Sequence, residues 1–288
     1  MKILITGTSS GFGKLTVNTL LKQGHKVVAS MRDVDGRNKE IADELNKAGA
    51  QIVEIDVTDE SSVNKGVEDT IKLLDGVDIL INNAGVGVMG FQEHFTTEDF
   101  QKLFEINVFG VQRMNRAIIP HMRKKKSGLI IHISSVLGRI SLPFYGPYNA
   151  SKWALEALAE NYRVELSGFG VDSCIVEPGG FPTSFMDRLL RPSDHSRDES
   201  YGEYINAPQQ MFDGFEQALA ANPEQNPQKV ADAIAKLVDM PTGERPIRTV
   251  VDYMGMGDHI KGYNEQLSQI TSGIYNAFGM GDMLKLKV

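Results

Sequence analysis

Between Ile133 and Lys152 the chain reads "ISSVLGRISLPFYGPYNASK", which packs serines, two tyrosines and one lysine into twenty positions. On a helix, Tyr148 and Lys152, four apart, share one face, whereas Tyr145 at the same spacing meets only Asn149. A phenol has a reference pKa of about 10, so it exchanges protons well at neutral pH only where a cation stabilises the phenolate. Lys152, one turn on, supplies that cation. Ser135, at the C-terminal end of an apolar run, offers a hydroxyl that would polarise a carbonyl group through its oxygen. Ser134 points the other way on an alternating strand and Ser141 falls in the following loop, so both read as structural.

The patterning of the chain predicts the scaffold for these groups. Short apolar runs, "KILIT", "KVVAS", "QIVEIDV", "VDILINNAG", "GLIIHISS", "VDSCIVEPG" and "RPIRTVVD", alternate with longer segments of helical period. That alternation predicts an α/β fold of Rossmann type, a doubly wound parallel sheet of about seven strands with helices on both faces. The runs are nearly continuous in Val and Ile, as strands covered on both faces require. "TTED" at Thr96 to Asp99 predicts a helix cap. "RKKKSG", from Arg123 to Gly128, predicts a helix end whose cations complement the dipole. Residues 1–288 read as a single dinucleotide-binding catalytic domain. The alternation fails over 181–227, which predicts a lid insertion facing substrate, and 255–288 form a C-terminal extension.

The first strand runs into "TGTSSGFG", Thr6 to Gly13, and then into a helix. Glycines let the backbone turn sharply and approach a pyrophosphate, which sits on the free N–H groups of the helix N-terminus. The spacing Thr-Gly-x-x-x-Gly-x-Gly is joined by "NNAG" at Asn82 to Gly85, by Asn107 in "EINVFG" and by Ser135, thirteen positions before Tyr148. With Tyr-x-x-x-Lys at Tyr148 and Lys152, and "PGGFPT" at Pro178 to Thr183, the set resembles the short-chain dehydrogenase/reductase family over residues 6–183.

The resemblance implies an NAD(P)-dependent oxidoreductase with Asn107, Ser135, Tyr148 and Lys152 as its catalytic residues. It gives Lys152 a hydrogen bond to the nicotinamide ribose, and makes Asn107 the anchor of a water that relays protons to Lys152. The alternative for Asn107 is a helix-to-strand hydrogen bond. The cofactor is expected on Gly7, Ser9, Ser10, Gly11, Phe12 and Gly13, and on Arg32, Asp56 and Val57. Asn83, Ala84 and Gly85, then Tyr148 and Lys152, and finally Pro178, Gly179, Phe181 and Thr183 complete its expected contacts. A homodimer or homotetramer, built on the helices around Asn107 and Lys152, is also implied; the C-terminal tail could cover or alter that interface.

Cofactor choice turns on the end of the second strand, where an acid binds a ribose diol and an Arg accommodates a 2′-phosphate. Met31 stands where NAD-preferring members of the resembled family carry Asp, and Arg32 follows. NADP (NADPH) is therefore expected over NAD. Asp33, twenty positions after Gly13, keeps NAD open. Asp56 matches an adenine-contacting aspartate, or else caps the next helix.

Three stretches, Gly87 to Phe95, Val136 to Pro147 and Phe181 to Phe215, are expected around the substrate. They bring Met89, Phe91, Leu137, Leu142, Phe144 and Phe181, with Tyr145 beside them, and then Phe185, Met186, Leu189, Leu190, Met211 and Phe212. Such side chains suit a bulky apolar ketone, aldehyde or secondary alcohol; the alternative is that they pack a lid or build a subunit contact. His94 stands alone, and a surface or pocket-rim position is expected for it.

A net charge of −7 and a pI near 5.4 argue against a nucleic-acid partner. The lone Cys174 reads as a buried strand residue, and no His, Cys or acid cluster has metal-ligand spacing. No apolar stretch reaches about 18 residues, so no membrane association is expected, and "MKILITG" begins directly as a strand, so a cytoplasmic location is expected. The expected activity is NADPH-dependent carbonyl reduction, or the reverse alcohol oxidation. An epimerase or dehydratase is disfavoured by the glycine spacing and "NNAG". An NADP(H)-binding redox sensor without turnover is the alternative from another class, although a sensor needs no complete Ser, Asn, Tyr and Lys set.

Overall fold

The computed structural model describes residues 1–287; Val288, the last residue of the expected extension, lies outside them. Seven strands, β1 (Lys2–Thr6), β2 (Lys26–Met31), β3 (Gln51–Glu54), β4 (Ile79–Asn82), β5 (Gly128–Ile133), β6 (Val171–Pro178) and β7 (Arg248–Val251), form one sheet. All neighbours are parallel, in the order β3-β2-β1-β4-β5-β6-β7. The helices are α1 (Gly11–Lys22), α2 (Lys39–Lys47), α3 (Glu60–Leu74), α4 (Thr97–Phe104), α5 (Gly110–Lys125), α6 (Gly146–Leu166), α7 (Ala207–Ala220), α8 (Gln228–Asp239) and α9 (Met256–Ala277). The strand order reverses between β1 and β4, and ligands of such sheets bind in the crevice outside the carboxyl ends at that point.

Two-residue alternation divides the core between the faces. Ile3, Ile5, Val27, Ala29, Ile79 and Ile81 pack with side chains of α1, α2 and α8. Leu4, Val28, Leu80 and Ile130 pack with α3, α5 and the end of α6. Each such side chain, fully buried, contributes roughly 1.5–3 kcal/mol relative to exposure, which is why these runs can only be central strands.

The long helical pattern after "TTED" is continuous but not uniform. Thr96 makes the expected capping box: its Oγ1 accepts from the Asp99 N–H at 3.2 Å, and the Asp99 carboxylate accepts from the Thr96 N–H at 3.1 Å. Between α4 and α5 the backbone widens into a π-helical turn at Glu105–Phe109, which holds Asn107. At the end of α5 the left-handed residue is Lys126, at φ +54°, and not Gly128, which opens β5. Lys125 there pairs with Asp78 as well as facing the helix dipole.

Residues 181–227 hold short 3-10 turns at Met186–Arg188 and Asp198–Asn206, then α7. The C-terminal α9 is keyed into the sheet by a buried polar network. Its Asn264 donates to Glu177 of β6 at 2.6 Å and accepts from Arg139 Nε at 3.0 Å. Arg248 of β7 reaches Glu156 of α6 at 3.0 Å and Glu177 at 3.2 Å. Burial and the neighbouring Glu156 push the Glu177 carboxyl upward. Cys174 is buried in β6, where loss of solvent pushes its thiol up to about 12.

His132, fully buried in β5, meets Asn82 Nδ2 at 3.5 Å, and burial, with the charge of Lys152, lowers its pKa to about 3. A neutral folded histidine contributes stability that is complete above its unfolded value of 6.5 and is lost as the pH falls below it. Denaturant titrations should therefore show about 2 kcal/mol lost from this residue between pH 7 and pH 5, read as the difference from His132→Asn. An identical pH dependence in that variant would contradict the assignment.

Candidate active site

One cleft of about 660 Å³ lies at the carboxyl ends of the strands, across the point where their order reverses. Ser9, Ser10, Gly11 and Phe12 line it where β1 passes into α1. Ser10 precedes α1 in an extended conformation, and its side chain makes no capping bond. The first N–H groups of α1 therefore remain open to an anion. Gly7 holds φ +70°, and a Cβ there would lie 2.7 Å from Ala84 Cα. Gly13 does not line the cleft: a Cβ on it would collide with the Gly7 carbonyl and the Asn83 amide. Its contribution is close packing of helix on strand, while Gly7 and Gly11 carry the turn. This cradle, filled by any larger side chain, fits a dinucleotide pyrophosphate.

Asn83 fixes the cradle from β4's end, with Nδ2 donating to the carbonyls of Thr6 at 2.9 Å and Gly7 at 3.0 Å. Ala84, Gly85, Pro178, Gly179, Phe181 and Thr183 continue the lining towards Tyr148 and Lys152. Phe181 packs edge-on against Phe12 with ring centroids 5.6 Å apart. Gly180, not expected from the sequence, lines the cleft as well.

The hydroxyl-bearing residues converge at the other end. Tyr148 and Lys152 lie on the buried face of α6, with Lys152 Nζ 5.5 Å from the Tyr148 ring centroid and donating to the Ile133 carbonyl at 2.9 Å. Burial lowers the Lys152 pKa to about 8, and Glu156, one turn further on, works the other way. Burial also pushes the Tyr148 phenol upward, partly offset by the nearby Ser135 hydroxyl. Ser135 Oγ accepts from the Leu137 N–H at 3.1 Å and reaches the Pro178 carbonyl at 3.4 Å, a weak bond that a carbonyl ligand could replace. Ser134 borders the cleft beside it, but its Oγ is buried next to Gly138, in keeping with the expected opposite facing.

Asn107 is buried in the π-helical turn and its side chain is fully engaged. Nδ2 donates to the Val86 carbonyl at 2.9 Å and Ser151 Oγ at 3.1 Å, while Oδ1 accepts from the Val86 N–H at 2.9 Å. These bonds tie the helix to the loop after β4, close to the helix-to-strand alternative, and commit both amide hydrogens.

At the adenosine end Arg32, Asp56 and Val57 line the cleft, joined by Met31, Arg37, Asn38 and Thr58. Arg32 Nη1 stands 3.6 Å from Asp56. Burial opposes ionisation of Asp56, but the Thr58 N–H and hydroxyl, with Arg32, outweigh it and hold the carboxyl below its usual range. The cap of α3 is Asp59, whose Oδ1 accepts from Ser61 and Ser62 at 2.7 and 3.0 Å, and not Asp56. Asp33 is not among the lining residues; its backbone is left-handed at φ +52° and its carboxylate accepts from the Arg37 N–H at 3.1 Å. Arg37 carried no sequence signal because only that tight turn brings it back beside Arg32.

The substrate half is apolar, with Leu137, Leu142, Tyr145, Phe185, Met186, Leu189 and Met211 on its walls. Phe215 of α7, the last residue of the expected Phe181 to Phe215 stretch, also lines it, as does Met256 of α9, from a segment whose pattern gave no reason to bring it there. Met89, Phe91, Phe144, Leu190 and Phe212 do not line the cleft. Met89 is wholly buried, Phe212 packs under Arg191, and Leu190 bridges to Val88. His94, expected at the surface or rim, is buried against Phe91 and Tyr201, with Nδ1 3.4 Å from Asp198.

Among the described residues no cluster of His, Cys, Asp and Glu is arranged to hold a metal, and no helix is long and apolar enough to cross a membrane. The family model described as short chain dehydrogenase matches residues 1–193. The chain is 36% identical over 236 residues to 3-ketodihydrosphingosine reductase of Bacteroides thetaiotaomicron, spanning 82% of each. It is 33% identical over 246 residues to human retinol dehydrogenase 8, covering 82% of this chain and 77% of that one. Among solved structures, a short-chain dehydrogenase from Streptomyces avermitilis superposes with a TM-score of 0.76 at 29% identity, covering 97% of both chains.

Proposed function

We propose, from the premise that this chain belongs to the short-chain dehydrogenase/reductase family and is an oxidoreductase of CH–OH and C=O groups, that it is an NADPH-dependent reductase of bulky apolar ketones or aldehydes. The observation that carries this reading is the junction of a glycine cradle and an apolar chamber in one cleft, with Tyr148, Lys152 and Ser135 between them. The names of the relatives from Bacteroides and human support a substrate of that bulk. The same site run backwards oxidises the corresponding secondary alcohol.

When bound, the nicotinamide supplies or accepts hydride. Ser135 donates a hydrogen bond to the substrate oxygen, which gains negative charge as hydride arrives. Tyr148 protonates that oxygen, and Lys152 stabilises the phenolate left behind. With the Asn107 side chain committed to Val86 and Ser151, a proton relay past this residue would use its main-chain carbonyl. Widened π-turns, where the regular ladder is interrupted, are common at functional sites. A cytoplasmic homo-oligomer belongs to the same reading, as does a lid role for residues 181–227, since Phe185, Met186, Leu189 and Met211 close the chamber.

The preference for NADPH is supported by Arg32 and Arg37 lining the adenosine end, whereas Asp33, paired with Arg37, does not line it. An exposed guanidinium pair is the residue type that holds a ribose phosphate by charge-assisted hydrogen bonds. Kinetics with NADPH and NADH against one reducible ketone test this. Replacing both, Arg32→Ala with Arg37→Ala, should raise the KM for NADPH by on the order of tenfold and leave that for NADH nearly unchanged. Equal effects on both cofactors would overturn the preference.

A further inference from the structure

A second concavity, of about 650 Å³, opens beside the cleft. Its walls are Phe91, Phe144, Trp153, Tyr201 and Tyr204, and Leu142 belongs to the walls of both spaces. The Phe91 ring lies 4.3 Å from Tyr201, 5.1 Å from Phe144 and 5.2 Å from Tyr204, centroid to centroid. Tyr204 is 60% exposed and Trp153 41%, so much of their aromatic surface stands in water. Phe144 holds φ +67°, a strained conformation for a bulky residue, and its carbonyl accepts from the Gly90 N–H at 3.0 Å. Strain of this kind persists where the surroundings over-determine it, and ligand clamps are among the places where it collects.

We infer that this groove receives the distal, uncharged chain of an elongated substrate whose carbonyl lies at Tyr148; the inference rests on the proposed reductase function and names its substrate class. Three arguments carry it. The groove adjoins the cleft at Leu142, which lines both, and runs from there along the first turns of α6, at Gly146, Asn149, Ala150 and Trp153. Its walls come from the loop after β4, from the loop before α6 and from the 181–227 segment, and those three segments also enclose the cleft. Among the described residues none of those lining it is charged, so an acidic tail has no counter-ion there, whereas an alkyl or polyene chain meets the faces of five aromatic residues. Each methylene that leaves water in such a groove strengthens binding by roughly fourfold.

Trp153 is the only tryptophan in the chain, so its emission reports on the groove alone. The protein saturated with oxidised NADP would be titrated with a straight methyl ketone of about twelve carbons and, separately, with butanone, while reduction of both is followed with NADPH. The long ketone should shift Trp153 emission saturably and butanone should not. In Tyr204→Ala, an exposed position where folding is not at risk, the long ketone should bind on the order of tenfold more weakly, with kcat/KM for butanone unchanged. Absence of a Trp153 response to the long ketone overturns the inference. So does a Tyr204→Ala protein with altered native mass and unaltered long-chain binding, which would make the groove a subunit contact. Turnover of butanone without length dependence sinks the groove alone, whereas a saturable response without any turnover sinks the reductase reading.

Discussion

Tyr148→Phe should lower the rate of carbonyl reduction by about a thousandfold while leaving NADPH affinity unchanged. The substitution removes one oxygen and keeps the ring, which is buried and packs against Phe185 at 6.0 Å between centroids. Folding and the shape of the cleft should therefore survive. What is lost is the phenolic proton donor beside Ser135, whose own hydroxyl is a far weaker acid. Burial raises the Tyr148 phenol above its ordinary value, so in the native protein it stays protonated through the neutral range, as a donor in reduction must. Single-turnover reduction with pre-bound NADPH isolates this step from product release, and a cofactor fluorescence titration checks binding. A variant that reduces substrate at near-native rate would remove Tyr148 from the chemistry.

Lys152→Met should cost about a hundredfold or more in reduction and should weaken cofactor binding as well, because one ammonium is asked to stabilise phenolate and to hold the ribose. The pH profile separates charge from packing. Burial brings the Lys152 pKa down to about 8, against the opposing influence of Glu156, so the cation is present below that pH and lost above it. Native kcat/KM for reduction should be flat below about pH 8 and fall about tenfold per unit above it. Lys152→Arg, whose guanidinium does not titrate in this range, should keep part of the activity and lose the alkaline limb. An alkaline limb unchanged in Lys152→Arg would assign it to another group.

The sheet was legible because buried strands leave a strong pattern: "KILIT" and "GLIIHISS" admit no exposed face, and the structure makes them β1 and β5 at the centre. The polar end of the cleft was legible for a related reason, since pyrophosphate chemistry fixes glycine spacing locally in the chain. Gly13 shows the limit of that logic: the pattern marks it with its neighbours, but only packing against the Gly7 carbonyl reveals a different role. The substrate half was harder to read. Phe185 and Phe212 look alike as sequence, yet one lines the chamber and the other lies under Arg191, because Phe185 precedes a short 3-10 turn without periodicity whereas α7 sets the facing of Phe212. His94 was misplaced because its burial depends on Tyr201 and Asp198, about a hundred residues away in the sequence. Asn107 was placed mid-helix, and the π-helical turn that holds it has no signature in residue types alone.

The central claim is that this cleft moves hydride to a carbonyl carbon, and isotope transfer tests it most directly. NADPH carrying deuterium at nicotinamide C4 would be incubated with a bulky apolar ketone, and the alcohol analysed by mass spectrometry, with Tyr148→Phe run in parallel. Deuterium on the carbinol carbon from one face of the nicotinamide, in amounts matching the NADPH consumed and nearly absent in the variant, is the predicted result. Tight NADPH binding with no labelled alcohol from any ketone offered would contradict the reductase and leave a nucleotide-binding sensor in its place.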